Sequence, residues 1–396
     1  HRKQLRRAER PPRRQGGWFY GLTTCAPGSC QLVLTASLRR LPIDATASTL
    51  TGEPSLQPCR PLVSERRTRL EATNLTIHIA FCMVAMSQNG GTPDTPSDYS
   101  DHGRVYGGFR RGRYLLPIDE ASRSQIHAAE QDRLDIFHKL IFLARKSRLH
   151  DALLPDRAQV LDLGTGTGIW AIDVGDSLYK GEDNQGRVLG LDLAYIQPKV
   201  IPTCVSFVRA DVEAPWPAPE QTFDMVHIQM LLGAIRDWSD LYRKSFRHIR
   251  PGGYIEQVEI EWMFRSDDNT LPPDSPLVLW GNTLRRAMQT YRQPIDIFDT
   301  RAELHAAGFT NITENVVKLP INPWSADAFE QEIGRWFNLG LTHGFEALTL
   351  APFVQIEGWP KHQVDRLVED LKRDICRLHV HAYCRMFVWT ARKPGQ

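Results

Sequence analysis

Val160-Leu161-Asp162-Leu163-Gly164-Thr165-Gly166-Thr167-Gly168-Ile169-Trp170 is the stretch around which the chain is organised. Gln159 to Leu163 is short and apolar around one acid, as a parallel strand covered on both faces should be. Three glycines at alternate positions allow a tight turn and let a ligand approach where a Cβ would clash. A helix over 169–178 then points its N-terminus and free N–H groups at that ligand.

The spacing excludes one class of ligand. A dinucleotide site wants G-x-G-x-x-G, but here the third glycine is Gly168 and Ile169 follows it. The pattern is D-x-G-x-G-x-G, with Asp162 in the strand end. A carboxylate there repels pyrophosphate and suits an ammonium or sulfonium. The stretch resembles the first motif of class I S-adenosylmethionine methyltransferases. That resemblance makes Asp162, Gly164, Thr165, Gly166 and Gly168 candidate cofactor residues.

Charge is unevenly spread over the 396 residues. Residues 1–70 hold 13 Lys and Arg against 4 Asp and Glu, so of a net +2 the remainder carries −7. A mildly acidic body is not a DNA-binding surface. The seven cysteines form no C-x-x-C pair or zinc set, so free thiols and no metal site are expected. No apolar run approaches the ~18 residues of a membrane span.

Residues 1–82 are rich in Arg, Pro, Ser and Thr, without sustained period. The basic run His1 to Arg14 reads as a nuclear-localisation patch, a nucleic-acid tail or a transit leader, or as no native segment at all, with Met83 or Met86 as the start. Ser87 to His102 is polar and reads as a flexible tail, so residues 1–102 are expected to be an extension and 103–396 the folded domain. Arg104 to Asp119 alternates basic, aromatic and glycine residues and is expected to fold over the ligand's mouth. Glu130 to Leu149 has helical period, with His138 on its apolar side as a core or lid residue.

Further strands are expected over 187–193, 205–210, 223–228 and 254–260. Asp192 ends the second strand, 24 residues past Gly168, where doubly wound sheets place the acid that holds ribose hydroxyls; Leu193 follows it. After the third strand, Asp211 is placed to accept from an adenine amino group while Val212 packs on the ring. The fourth strand ends in His227-Ile228-Gln229-Met230, facing the ligand by the crevice rule. Trp238 to Ile249 reads as a helix stopped by Pro251-Gly252-Gly253; 277–291 and 300–307 read as helices. Strands over 311–319 and 382–390 enclose an insertion of roughly 60 residues, about 321–378, with helices over 326–341 and 361–378. Its Trp and Phe content suggests a helical lid or a partner surface.

Arg133-Leu134-Asp135-Ile136-Phe137-His138, the glycine stretch, and Gly190-Leu191-Asp192-Leu193 with Ile196-Gln197-Pro198 are together similar to the LaeA-type methyltransferases of the fungal velvet complex. Asp267-Asp268-Asn269-Thr270 through Ser275, Glu332 through Gly340, and His381-Ala382-Tyr383 with Trp389-Thr390-Ala391-Arg392 extend the resemblance over about 104–394. Pro251-Gly252-Gly253-Tyr254 departs from the family's usual Pro-Gly-Thr-Gly-Trp. The resemblance implies a class I fold, an α/β Rossmann-like sheet of seven strands in the order 3-2-1-4-5-7-6 with strand 7 antiparallel. It further implies S-adenosylmethionine as cofactor, velvet-domain partners, a nuclear location, control of secondary-metabolite clusters and development, and self-methylation on a methionine.

Two acceptors fit the residues. A Met230 thioether attacks a sulfonium methyl without losing a proton, so it needs no base. An external oxygen or nitrogen acceptor needs one, and His227 is the candidate; the chain would then be a small-molecule O-methyltransferase. A scaffold that binds the cofactor without turnover is a third reading.

Overall fold

The computed structural model describes residues 97–119, 130–179 and 185–395, all within the unit Val63–Gln396. A hairpin of β1 (Tyr99–Asp101) and β2 (Arg104–Tyr106) comes first, followed by α1 (Glu130–Ala144). The first stretch of the sheet contains β3 (Gln159–Leu163), α2 (Ile169–Leu178), β4 (Arg187–Asp192) and β5 (Val205–Arg209). Then come β6 (Phe223–Gln229), α3 (Trp238–His248), β7 (Ile249–Arg265), α4 (Pro276–Thr290), α5 (Thr300–Ala306) and β8 (Thr310–Pro320). Helix α6 (Ala328–Ala351), a π-helical turn (Pro352–Ile356), α7 (Lys361–Asp374) and β9 (Tyr383–Arg392) complete the domain.

The seven-stranded sheet has the order β5-β4-β3-β6-β7-β9-β8. Strands β5 to β7 pair in parallel, and β9 runs antiparallel between β7 and β8. This is the expected 3-2-1-4-5-7-6 order. Every residue of β3 is buried, as its apolar run requires of a strand covered on both faces. Helix α3 starts where Asp237 accepts the Asp240 N–H, and α4 where Ser275 accepts that of Val278.

Four expectations are corrected. Residues 99–101 are a strand, not tail: Tyr99 stacks on Tyr106 with ring centroids 5.5 Å apart. The stretch 1–96, with the basic run and the proposed starts, lies outside the described residues. Helix α1 ends at Ala144, not Leu149, because Lys146 and Ser147 turn left-handed (φ 55° and 60°) and Ser147 N–H caps the Phe142 carbonyl. No glycine marks that stop, so sequence carried no signal of it. Strand β7 begins at Ile249, because Gly252 N–H and the Gly253 carbonyl pair with the Lys393 backbone and draw the Pro-Gly-Gly stretch into the sheet.

The fourth correction concerns the insertion. Helix α6 ends ten residues later than expected, at Ala351 rather than 341, and belongs to the core rather than covering it. Ile333, Phe337, Leu341 and Phe345 recur every four residues and are at most 1 % exposed. Phe337 meets Phe137 of α1 edge-on, centroids 6.3 Å apart. A Cβ at Gly340 would lie 3.3 Å from the Phe137 ring, so a glycine there permits the close crossing of α1 and α6.

Candidate active site

The glycine turn is built by its neighbours as much as by its own sequence. Gly164, Gly166 and Gly168 all take positive φ (66°, 56° and 79°). The N–H groups of Gly164 and Thr165 both donate to the Leu191 carbonyl, at 2.8 and 3.0 Å, so the turn is stapled to β4. Asp192 adds a second staple: Oδ2 accepts from Gly166 N at 2.8 Å and Oδ1 from Ala194 N at 2.8 Å. From α1, Asp135 accepts the Thr167 hydroxyl at 2.7 Å. No side chain caps α2, which leaves its first turn facing the cavity wall at Ile169 and Trp170.

These elements enclose a cavity of about 190 Å³. Asp162, Gly164, Thr165, Gly166, Asp192, Leu193, Asp211, Val212, His227 and Met230 all line it, so all but one of the residues singled out from sequence converge. The exception is Gly168, which packs rather than lines: a Cβ there would sit 2.3 Å from the Phe207 ring.

Each acid has a distinct environment. Asp162 accepts the Thr165 hydroxyl on Oδ2 at 2.6 Å and meets His227 Nδ1 with Oδ1 at 2.8 Å. Burial pushes the Asp192 carboxyl up to about 6, against the pull of the Ala194 and Gly166 N–H groups. Asp211 accepts Glu213 N–H at 2.9 Å and faces Arg113 at 3.3 Å.

Arg113 belongs to the segment expected to cover the mouth, and Gly107, Phe109, Arg110 and residues 113–118 line the cavity. Arg104 anchors that segment by a two-bond contact to Asp119 at 2.6 and 2.7 Å. Gln293 donates to the Arg113 carbonyl at 2.8 Å, and Arg236 to that of Gly112 at 3.1 Å. Tyr114 beneath it is held protonated, its phenol pushed far up by burial.

Beyond β6 the wall changes character. Met230 takes φ 55° and donates its N–H to the Val258 carbonyl at 2.8 Å. Glu259 holds the next two residues, with Oε1 accepting from Leu231 N at 3.1 Å and Oε2 from Leu232 N at 3.2 Å. Burial raises its carboxyl to about 7. Ile260, Trp262, Leu284 and Met288 form an apolar wall past this turn.

Sequence reading did not find Glu259, nor the buried pair of Arg133 and Glu130 that lines the cavity from α1. Both left a signal. An acid inside an apolar strand and an Arg on an apolar helix face three residues from a Glu are costly unless paired. His138, expected as a core or lid residue, is 4 % exposed and pairs with Asp173 at 2.9 Å.

A seven-stranded sheet of this order, with a glycine turn after its first strand and acids ending its second and third, is a class I S-adenosylmethionine-dependent methyltransferase. Residues 129–314 match the family described as "Methyltransferase domain". The secondary metabolism regulator LAE1 of Cochliobolus heterostrophus is 43% identical over 320 residues, covering 78% of this chain and 100% of that protein. The protein-methionine methyltransferase laeA of Emericella nidulans is 42% identical over 300 residues, covering 75% of this chain and 76% of that one. The regulator laeA of Fusarium oxysporum f. sp. lycopersici is 40% identical over 303 residues, with 74% and 92% covered. The chain belongs to the LaeA family of secondary metabolism regulators.

The cavity fits the cofactor. Asp192 and Asp211 bring carboxylates to its wall and Val212 an apolar side chain, and among the described residues His227 Nε2 and Gln229 Oε1 are buried polar atoms on that wall without a protein partner.

Proposed function

We propose that this methyltransferase transfers the methyl group to its own Met230, and that it does so as the enzymatic subunit of a nuclear velvet complex controlling secondary metabolism. The observation that carries the first part is the geometry of the turn after β6. Met230 directly follows the fourth core strand on the cavity wall, its backbone pinned to Val258 and the two following residues pinned to Glu259. Such pinning fixes where the side chain can reach, and placement is most of what a methyl transfer requires. S-Adenosylmethionine, when bound, supplies an electrophilic methyl group. A thioether has no proton to lose, so Met230 needs no base. The relative named a protein-methionine methyltransferase supports the reading.

Incubation with methyl-labelled S-adenosylmethionine, digestion and mass mapping tests it. Label is expected in the peptide 210–236 and is expected to vanish in Met230→Leu. Label surviving in that variant removes Met230 from the reaction. The complex is tested separately, by co-purification of the tagged chain with velvet-domain proteins from nuclear extract.

The apolar wall of Ile260, Trp262, Leu284 and Met288 favours a second reading, O-methylation of a small external acceptor. His227 would then take the acceptor's proton. Label transferred to a small molecule in Met230→Leu would favour it.

A further inference from the structure

A buried polar atom without a protein partner on a ligand cavity says what the ligand must bring. His227 Nε2 is such an atom. The residue is 0 % exposed, the nitrogen has no partner among the described residues, and the residue lines the cavity. Its other nitrogen decides its character. Nδ1 lies 2.8 Å from Asp162 Oδ1, and the same carboxylate already accepts the Thr165 hydroxyl on Oδ2. Facing a carboxylate oxygen, Nδ1 carries the hydrogen, so in the neutral ring the lone pair sits on Nε2. The ring cannot swing away, because it stacks on Trp170 at 3.5 Å with the planes 4° apart.

We propose that His227 Nε2 is the acceptor for the α-ammonium of the cofactor's methionine tail, and that Asp162 acts on the cofactor through this ring rather than directly. Three observations support it. Asp162 is 2 % exposed and both its oxygens are engaged, so the cation its position invites is met by the next group outward. That group lies beside the glycine turn: Asp162 and His227 are register partners on adjacent strands. A carboxylate behind an imidazole makes its far nitrogen a better acceptor for a cation, the second-partner logic known from metal-binding histidines. His227 is therefore a positioning residue that distinguishes a ligand with the amino-acid tail from the bare thio-nucleoside.

The test is calorimetric titration of the full chain with S-adenosylhomocysteine, with its analogue lacking the α-amino group, and with methylthioadenosine, which lacks the whole tail. His227→Asn keeps an N–H for Asp162 but has no atom at the Nε2 position. It is expected to lose about tenfold or more in affinity for S-adenosylhomocysteine, as for loss of a hydrogen bond to a charged group. Its affinity for methylthioadenosine should stay within about twofold of wild type. His227→Gln, whose amide oxygen reaches the Nε2 position, should regain part of the loss.

Unchanged S-adenosylhomocysteine affinity in His227→Asn overturns the proposal. So does an equal loss for both ligands, which marks a merely structural histidine. Should the variants not fold, the wild type alone decides, since equal affinity for S-adenosylhomocysteine and its deaminated analogue also overturns it. The readout is ligand affinity without turnover, so the fate of Met230 as acceptor does not enter.

Discussion

The two halves of the sheet build their parts of the cavity by different means. On the side of β3, β4 and β5, strands are five or six residues long and the wall is local in sequence: a glycine turn, a helix start and acids at strand ends. On the side of β7, the strand is 17 residues long and the wall is side chains delivered by distant elements: Trp262 from β7, Met288 from α4, Leu348 from α6. The first wall is set by local sequence and the second by tertiary packing. A change in one should therefore be felt mainly as affinity, and in the other mainly as stability.

The largest expected effect tests that division where it is most exposed to failure, in the insertion. Phe337 is fully buried against Phe137, so Phe337→Ala should cost about 3–5 kcal/mol in denaturant unfolding. A loss below ~1 kcal/mol would return α6 to the status of a lid.

Next comes the wall on the side of β3, β4 and β5. Asp192 holds Gly166 and Ala194 and faces the cavity. Asp192→Ala should weaken S-adenosylhomocysteine binding by about 1.5–3 kcal/mol, roughly tenfold or more, in calorimetric titration. Wild-type affinity in that variant would break the assignment of this half to the nucleotide.

The same carboxyl sharpens the comparison through pH. Because burial raises it to about 6, the charged carboxylate expected to accept ribose hydroxyls forms only as pH climbs through that value. S-Adenosylhomocysteine affinity should rise between about pH 5 and 7, and Asp192→Asn should flatten the rise. Stability runs the other way. The unfolded carboxyl gives up its proton near its ordinary value and the folded one later, so this group's contribution falls as pH increases from roughly 4 to 6.

The smallest effect concerns Trp336, half-buried beside the core, with its indole N–H on Glu332 at 3.0 Å. Trp336→Ala should lower stability by about 1–2 kcal/mol and leave S-adenosylhomocysteine affinity unchanged. Velvet-protein pull-down with the same variant would show whether its exposed part meets a partner.

The contrast also explains what could be read from sequence. The glycine stretch, Asp192 and Asp211 announce themselves because short-range spacing dictates their geometry, and the helix expected over about 169–178 is observed there. Elements set at long range were harder. Helix α6 continues ten residues past its expected end because the next turns bury Phe345 and Leu348 against elements remote in sequence. Glu259 became part of the site only when β7 paired with β6 and brought it under Leu231 and Leu232. The covering segment was legible in composition, but Arg113 meeting Asp211 from 98 residues away was not.

The place of β9 has a consequence for how the chain reaches this state. Strands β7 and β8 precede it in sequence, yet neither touches the other; each pairs with β9, which lies between them. A nascent chain that has made β7 and β8 thus holds two strands with open edges while α6 and α7 are still being synthesised. The edges that face β9 close only when it arrives, making it the keystone of assembly and giving the β7 side of the sheet slow, long-range closure. The interval before it arrives is when this domain is most vulnerable to aggregation and most in need of a chaperone.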